Sequence, residues 1–289
     1  MASSEPNGEA RAAPQPAARP RREVMYRHTV AVRLTHWINV LILVLLLMSG
    51  LRLFNYHPAL YWGNYGYRGV PAFVSIAALE DIETDEPVGV TTIMGHNFIT
   101  TGVLGVSYDA NGEPIAAAFP NWLTLPGGLA GARDVHFAAA WLLVLNGLVY
   151  LLFSLFTGHF RRDLLPGAGE LRPRHMLTDM WNHLRLRRAR GEAARRYNVL
   201  QKLAYVIVIF ILLPVMVLTG LTMSPAVTAA LPFLFDMFAG RQSARTIHFL
   251  VANLLVLFVF IHIIQVIVTG LFNNMRSMIT GRYAIPPED

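Results

Sequence analysis

Four of the ten histidines in this chain, His36, His136, His248 and His262, stand inside long apolar runs. An ionisable side chain at such a depth costs about 3 kcal/mol to insert and is usually kept there for chemistry. His248 and His262 lie fourteen residues apart. On a helix that is within about 40° of four full turns and a rise of about 21 Å, so both imidazoles point the same way from opposite halves of one span. Three of the four follow an arginine by one turn, as Arg33-x-x-His36, Arg133-x-x-His136 and Arg245-x-x-His248. An arginine so placed lies on the histidine's face and toward water, a good partner for a ligand's carboxylates. Ordinary snorkelling accounts for arginine at an interface but not for its fixed offset from histidine three times. Gly50 lies fourteen residues beyond His36 and would let a flat ligand approach the backbone.

The elements that must position these residues are apolar helices. Hydrophobic residues make up 54% of the 289 and charged ones 15%, well under the roughly 25% of a soluble domain. Spans are expected at about Leu34–Phe54, Val135–Thr157, Leu200–Met223 and Thr246–Leu271, each long enough to cross a hydrocarbon core of about 30 Å. Residues 225–240 are apolar but short and hold Pro232, which suits a re-entrant or interfacial piece. The connection from His159 to Lys202 carries eleven Lys or Arg against four acids. The loop from Asn55 to Ala132 has Arg68 alone against Glu80, Asp81, Glu83, Asp85, Glu86, Asp109 and Glu113. The positive-inside rule puts both termini and the second connection in the cytoplasm and the acidic loop outside. The expected organisation is therefore a disordered tail over 1–25, a four-helix transmembrane unit over 26–283 with an outer loop at 55–132 and a cytoplasmic loop at 159–199, and a short tail at 284–289. The aromatic run from Leu60 to Tyr67 reads equally as a membrane-interface belt or a docking surface.

Orientation sorts the histidines by depth. His36 and His262 fall near the inner face, His136 and His248 near the outer face, each pair drawn from two helices. Two histidines per level are too few for zinc, which takes three or four ligands at one point. No Asp or Glu at mid-membrane in the first, second or fourth span continues a proton relay. Bis-histidine ligation of two stacked haems, His36 with His262 and His136 with His248, satisfies both the spacing and the pairing, with Arg33, Arg133 and Arg245 at the propionates. Since the chain has no cysteine, the haems are non-covalent b-type, and iron–sulfur ligation and disulfides are excluded.

The pattern Arg33-Leu34-Thr35-His36-Trp37, Arg133-x-x-His136-Phe137 and Arg245-x-x-His248, with His262 fourteen residues on, resembles the bacterial cytochrome b561 and nickel–iron hydrogenase b-type cytochrome superfamily. That superfamily includes the gamma subunit of formate dehydrogenase and the cytochrome b subunits of thiosulfate reductase. The resemblance implies an all-α, four-helix membrane bundle around two haems in a bacterial inner membrane. It implies exchange of electrons between quinone and a periplasmic catalytic oxidoreductase subunit of the molybdopterin-dependent kind. Tyr197-Asn198-x-x-Gln201-Lys202 is similar to the segment lining the quinone pocket of formate dehydrogenase gamma subunits, which makes Asn198, Gln201 and Lys202 quinone-site residues. A stand-alone quinone reductase fed by a diffusible donor such as superoxide is the alternative. The long acidic loop departs from the compact members of the superfamily.

Overall fold

The computed structural model describes residues 23–286 apart from 67–68, 84, 168, 185–190, 192–194 and 196–197. Residues 1–22 and 287–289, Arg68, Tyr197 and the basic run at 185–190 lie outside the described residues. Four helices are long and apolar enough to cross a membrane: α1 (Val30–Asn55), α2 (Leu129–Thr157), α4 (Val199–Met223) and α7 (Arg241–Thr280). Between them, among the described residues, lie three shorter α-helices, α3 (Pro173–Leu184), α5 (Pro225–Ala230) and α6 (Phe233–Met237). The helices extend past the expected apolar runs, most of all α7. Thr29 accepts the Val32 N–H at the start of α1, and Gly281, at φ 81°, closes α7 in a left-handed conformation that suits glycine.

α1 and α2 form an antiparallel pair, and α4 pairs with α7. Lipid tails are as apolar as leucine, so such pairs are held by close packing of small residues and by polar bonds rather than by hydrophobicity. The buried stripes show this: Thr35, Ile42 and Ser49 on α1 meet Ala132, Ala139, Asn146 and Ser154 on α2, at near-heptad spacing. Asn146 donates to the Thr35 carbonyl at 2.9 Å and to Asn39 Oδ1 at 2.7 Å, locking the register. In α4, Pro214 lacks an N–H and its ring crowds the preceding turn; residues Val208–Leu212 absorb this as a π-helical segment in which Leu213 N–H reaches Val208 O. α7 kinks at Gly270 (φ 119°, ψ 83°), and Asn274 Nδ2 takes up the Val266 carbonyl at 3.2 Å.

The loop between α1 and α2 is not the irregular connection of an all-α protein. It contains a four-stranded antiparallel sheet ordered β2-β3-β4-β5 (Ala59–Leu60, Val74–Glu80, Pro87–Ile93, His96–Ile99) and a hairpin of β6 and β7 (Gly105–Tyr108, Pro114–Ala117). The expectation of an all-α fold is corrected here. Met94 and Gly95, both at positive φ, make the two-residue turn that joins β4 to β5. Leu60, fully buried, forms a core with Phe54, Ile76 and Ala118, so the head of the aromatic run is interior. Phe54 of α1 stacks on Phe249 of α7, with ring centroids 4.7 Å apart, and thereby seats the sheet on one end of the bundle. At the opposite end β1 (Val24–Tyr26) pairs antiparallel with β8 (Arg282–Ala284). The two ends of the described chain thus meet. The bundle therefore has a sheet end and, opposite it, a terminal end.

Candidate functional site

The two histidine pairs meet across the bundle as their depths require. His36 of α1 faces His262 of α7, and His136 of α2 faces His248 of α7; in each pair the ring centroids are 6.3 Å apart. An imidazole nitrogen binds a first-row metal at about 2.0 Å and lies roughly 1.1 Å from its ring centre, so two rings sharing one metal ion stand about 6.2 Å apart. The gap is too wide for ring stacking and fits one iron. The first pair lies at the terminal end, the second at the sheet end.

Local structure decides which nitrogen faces the gap at the sheet end. Ser49 Oγ lies 2.9 Å from His136 Nδ1, and Thr219 Oγ1 lies 2.9 Å from His248 Nδ1. Each hydroxyl has one proton and donates it to a carbonyl of its own helix, Ser49 to Leu45 at 2.5 Å and Thr219 to Val215 at 2.6 Å. Each therefore accepts from Nδ1–H, which leaves the Nε2 lone pair for a metal. The residue after each hydroxyl is glycine, and it touches the same ring. A Cβ on Gly50 would meet His136 Cε1 at 3.3 Å, and one on Gly220 would meet His248 Cε1 at 3.6 Å. At Gly50, where the sequence reading has the missing side chain admit a flat ligand, the side-chain contact that an added Cβ would make is with the His136 imidazole. Ser49, Thr219 and Gly220 were not singled out from the sequence, although the repeated hydroxyl–glycine pair at one depth of two spans was a usable signal. At the terminal end, His36 Nδ1 is buried with no partner among the described residues, and His262 stacks on Phe258 with centroids 6.0 Å apart.

Two of the three arginines of the repeated signature have structural work. Arg245 donates to the carbonyls of His57 and, at 2.7 Å, Ala59, which fastens the chain leaving α1 to the start of α7. Thr246 adds a bond to the Tyr61 carbonyl at 2.6 Å. Arg33 Nη1 donates to Ile279 O and Trp37 Nε1 to Met278 O at 3.1 Å, so the start of α1 caps the end of α7, while Arg33 Nε is buried without a partner among the described residues. Arg133 is exposed at the sheet end. Arg33 and Arg245 thus each bridge the two helix pairs beside a histidine pair.

Asn198, Gln201 and Lys202 come together at the terminal end of α4, but their polar groups have local partners. Asn198 Oδ1 accepts the Gln201 N–H at 2.8 Å and Gln201 Oε1 accepts the Asn198 N–H at 3.3 Å, a reciprocal capping box. Lys202, 7% exposed, forms an ion pair with Glu170 at 2.8 Å.

A family model described as prokaryotic cytochrome b561 matches residues 27–281. A putative protein-methionine-sulfoxide reductase subunit, YedZ1, of Azospira oryzae is 28% identical over 260 residues, covering 90% of this chain and 98% of the relative. No solved structure matches the chain. Proteins of this family bind haem b, which the donor set and the 6.3 Å gaps accommodate. With four apolar helices and a family match over most of its length, this multi-pass membrane protein of electron transport belongs to the prokaryotic cytochrome b561 family.

Proposed function

We propose that the chain holds two haems b, one between His36 and His262 and one between His136 and His248, and carries electrons across the membrane between quinone and an oxidoreductase. The observation that carries this reading is the equal 6.3 Å separation of two imidazole pairs at opposite ends of one bundle. Bound there, each haem supplies a one-electron iron couple. The chain supplies the nitrogen ligands, fixes the tautomers of His136 and His248, and sets the two sites about 21 Å apart along α7.

The distribution of Arg and Lys supports a cytoplasmic terminal end and a sheet end outside a bacterial inner membrane. The β-rich segment is then the surface on which a periplasmic catalytic subunit docks. The relative named as a subunit of a protein-methionine-sulfoxide reductase favours a partner of that kind, and the family resemblance a molybdopterin-dependent one. Quinone exchange is assigned to the terminal end on the family resemblance. Asn198 and Gln201 spend their amide oxygens on the helix cap, so their side-chain NH2 groups, with the charge of the Lys202–Glu170 pair, are what the three residues offer a bound quinone. Arg133, exposed beside the sheet-end pair, is the arginine freest to meet a propionate.

A pyridine haemochrome assay against protein concentration should give about two haems per chain. His136→Ala or His248→Ala should each remove the sheet-end haem and spare the other, and His36→Ala or His262→Ala should do the reverse. Depletion of the same haem by His36→Ala and His248→Ala would refute the pairing.

A further inference from the structure

We infer that Ser49 and Thr219 are positioning residues that lower the reduction potential of the sheet-end haem selectively, by making its two imidazole ligands more basic. The inference rests on the haem ligation proposed above and adds to it an electronic difference between the two sites.

The hydrogen-bond geometry carries the argument. Both hydroxyls are fully buried, at 0% exposure, so no solvent competes for them. Ser49 Oγ gives its proton to Leu45 O at 2.5 Å and Thr219 Oγ1 gives its proton to Val215 O at 2.6 Å. The contacts at 2.9 Å to His136 Nδ1 and His248 Nδ1 are therefore bonds that the imidazoles donate. An imidazole that donates from one nitrogen is a stronger base at the other. A more basic axial ligand favours ferric over ferrous iron, which lowers the potential of the one-electron couple. Both ligands at the sheet end carry such a prop, on two different helices, each followed by the glycine that admits the ring. At the terminal end, His36 Nδ1 has no partner among the described residues, so that ligand lacks the same electron release.

The test is a spectroelectrochemical titration of the full-length protein with both haems bound. Ser49→Ala should raise the midpoint of the sheet-end haem by about tenfold in its reduction equilibrium constant, about 59 mV for one electron, and leave the terminal-end midpoint in place. Thr219→Val, which keeps side-chain volume, should give a shift of the same sign. Ser49→Thr and Thr219→Ser keep the hydroxyl and should restore the original midpoint. The low-spin ferric EPR signal of the sheet-end haem should move with the potential. A sheet-end midpoint that stays in place in both Ser49→Ala and Thr219→Val, or one that shifts together with the terminal-end midpoint, would overturn the inference. Should Ser49→Ala lose the sheet-end haem, Thr219→Val decides alone. Failure of the ligation itself is distinguishable, since the unsubstituted protein would then show fewer than two haems.

Discussion

Replacing Gly50 with alanine tests whether the sheet-end site is built around the histidine ring. The new Cβ would lie 3.3 Å from His136 Cε1 and 3.7 Å from Nδ1, so the ring must retreat by a few tenths of an ångström. Ser49 holds Nδ1 at 2.9 Å. A retreat of that size lengthens this bond toward the 3.2 Å limit of good N–H···O geometry and forfeits part of a contribution of about 1 kcal/mol. It also moves the ring relative to His248, whose own position is set independently by Thr219 at 2.9 Å. In the other direction, alanine is favoured over glycine in a helix interior by about 1 kcal/mol, so the fold should be no less stable. Gly220→Ala is the control, because its Cβ would sit at 3.6 Å from His248 Cε1, an ordinary contact. The expected result is that Gly50→Ala weakens retention of the sheet-end haem by up to tenfold, about 1.4 kcal/mol, while Gly220→Ala stays within about twofold. The assay is haem transfer to excess apomyoglobin, followed separately for the two haems by their absorption. Equal transfer rates for the two variants would refute the reasoning, as would equal loss of both haems in Gly50→Ala.

Two further outcomes follow from groups outside the histidine pairs. Glu170→Ala should destabilise the terminal end by about 3 kcal/mol, because it leaves the buried Lys202 ammonium without its carboxylate, whereas Lys202→Met should cost less than about 1 kcal/mol; thermal unfolding read by haem absorbance compares them, and equal losses would count against a buried pair. His28, outside the spans, is held neutral by burial and then by the neighbouring Arg27, its pKa pushed down to about 4. Its folded value lies below the unfolded one, so the stability tied to neutral His28 is complete above about pH 6.5 and is lost as pH falls toward 4. His28→Gln should therefore flatten the decline in thermal midpoint between pH 7 and 4.5, and an unchanged slope would exclude that role.

Much of the site was legible because membranes impose strong one-dimensional rules. The four spans follow from hydropathy and length, since every backbone polar group in lipid must be bonded within its own segment. The fourteen-residue spacing of His248 and His262, and the depth of His36 and His136 in spans of opposite direction, follow from 1.5 Å of rise per residue. The structure brings those residues into two pairs with equal gaps. What tertiary structure alone decided is everything that depends on a lateral neighbour. The sheet between α1 and α2 arises from pairings such as Val74 with Ile93 and Leu60 with Val74, which no local periodicity announces. Arg33 and Arg245, which the sequence placed beside a cofactor's carboxylates, also bond backbone carbonyls: Arg33 that of Ile279, an acceptor left open at the end of α7, and Arg245 those of His57 and Ala59 in the chain that leaves α1. Asn198 and Gln201 cap the start of α4. Ser49 and Thr219 each precede a glycine in the sequence, a repeat that does not say what the hydroxyl meets. Only the packing of α1 on α2 and of α4 on α7 turns each hydroxyl toward an imidazole 2.9 Å away, where a single proton, already committed to the backbone, settles the direction of the bond.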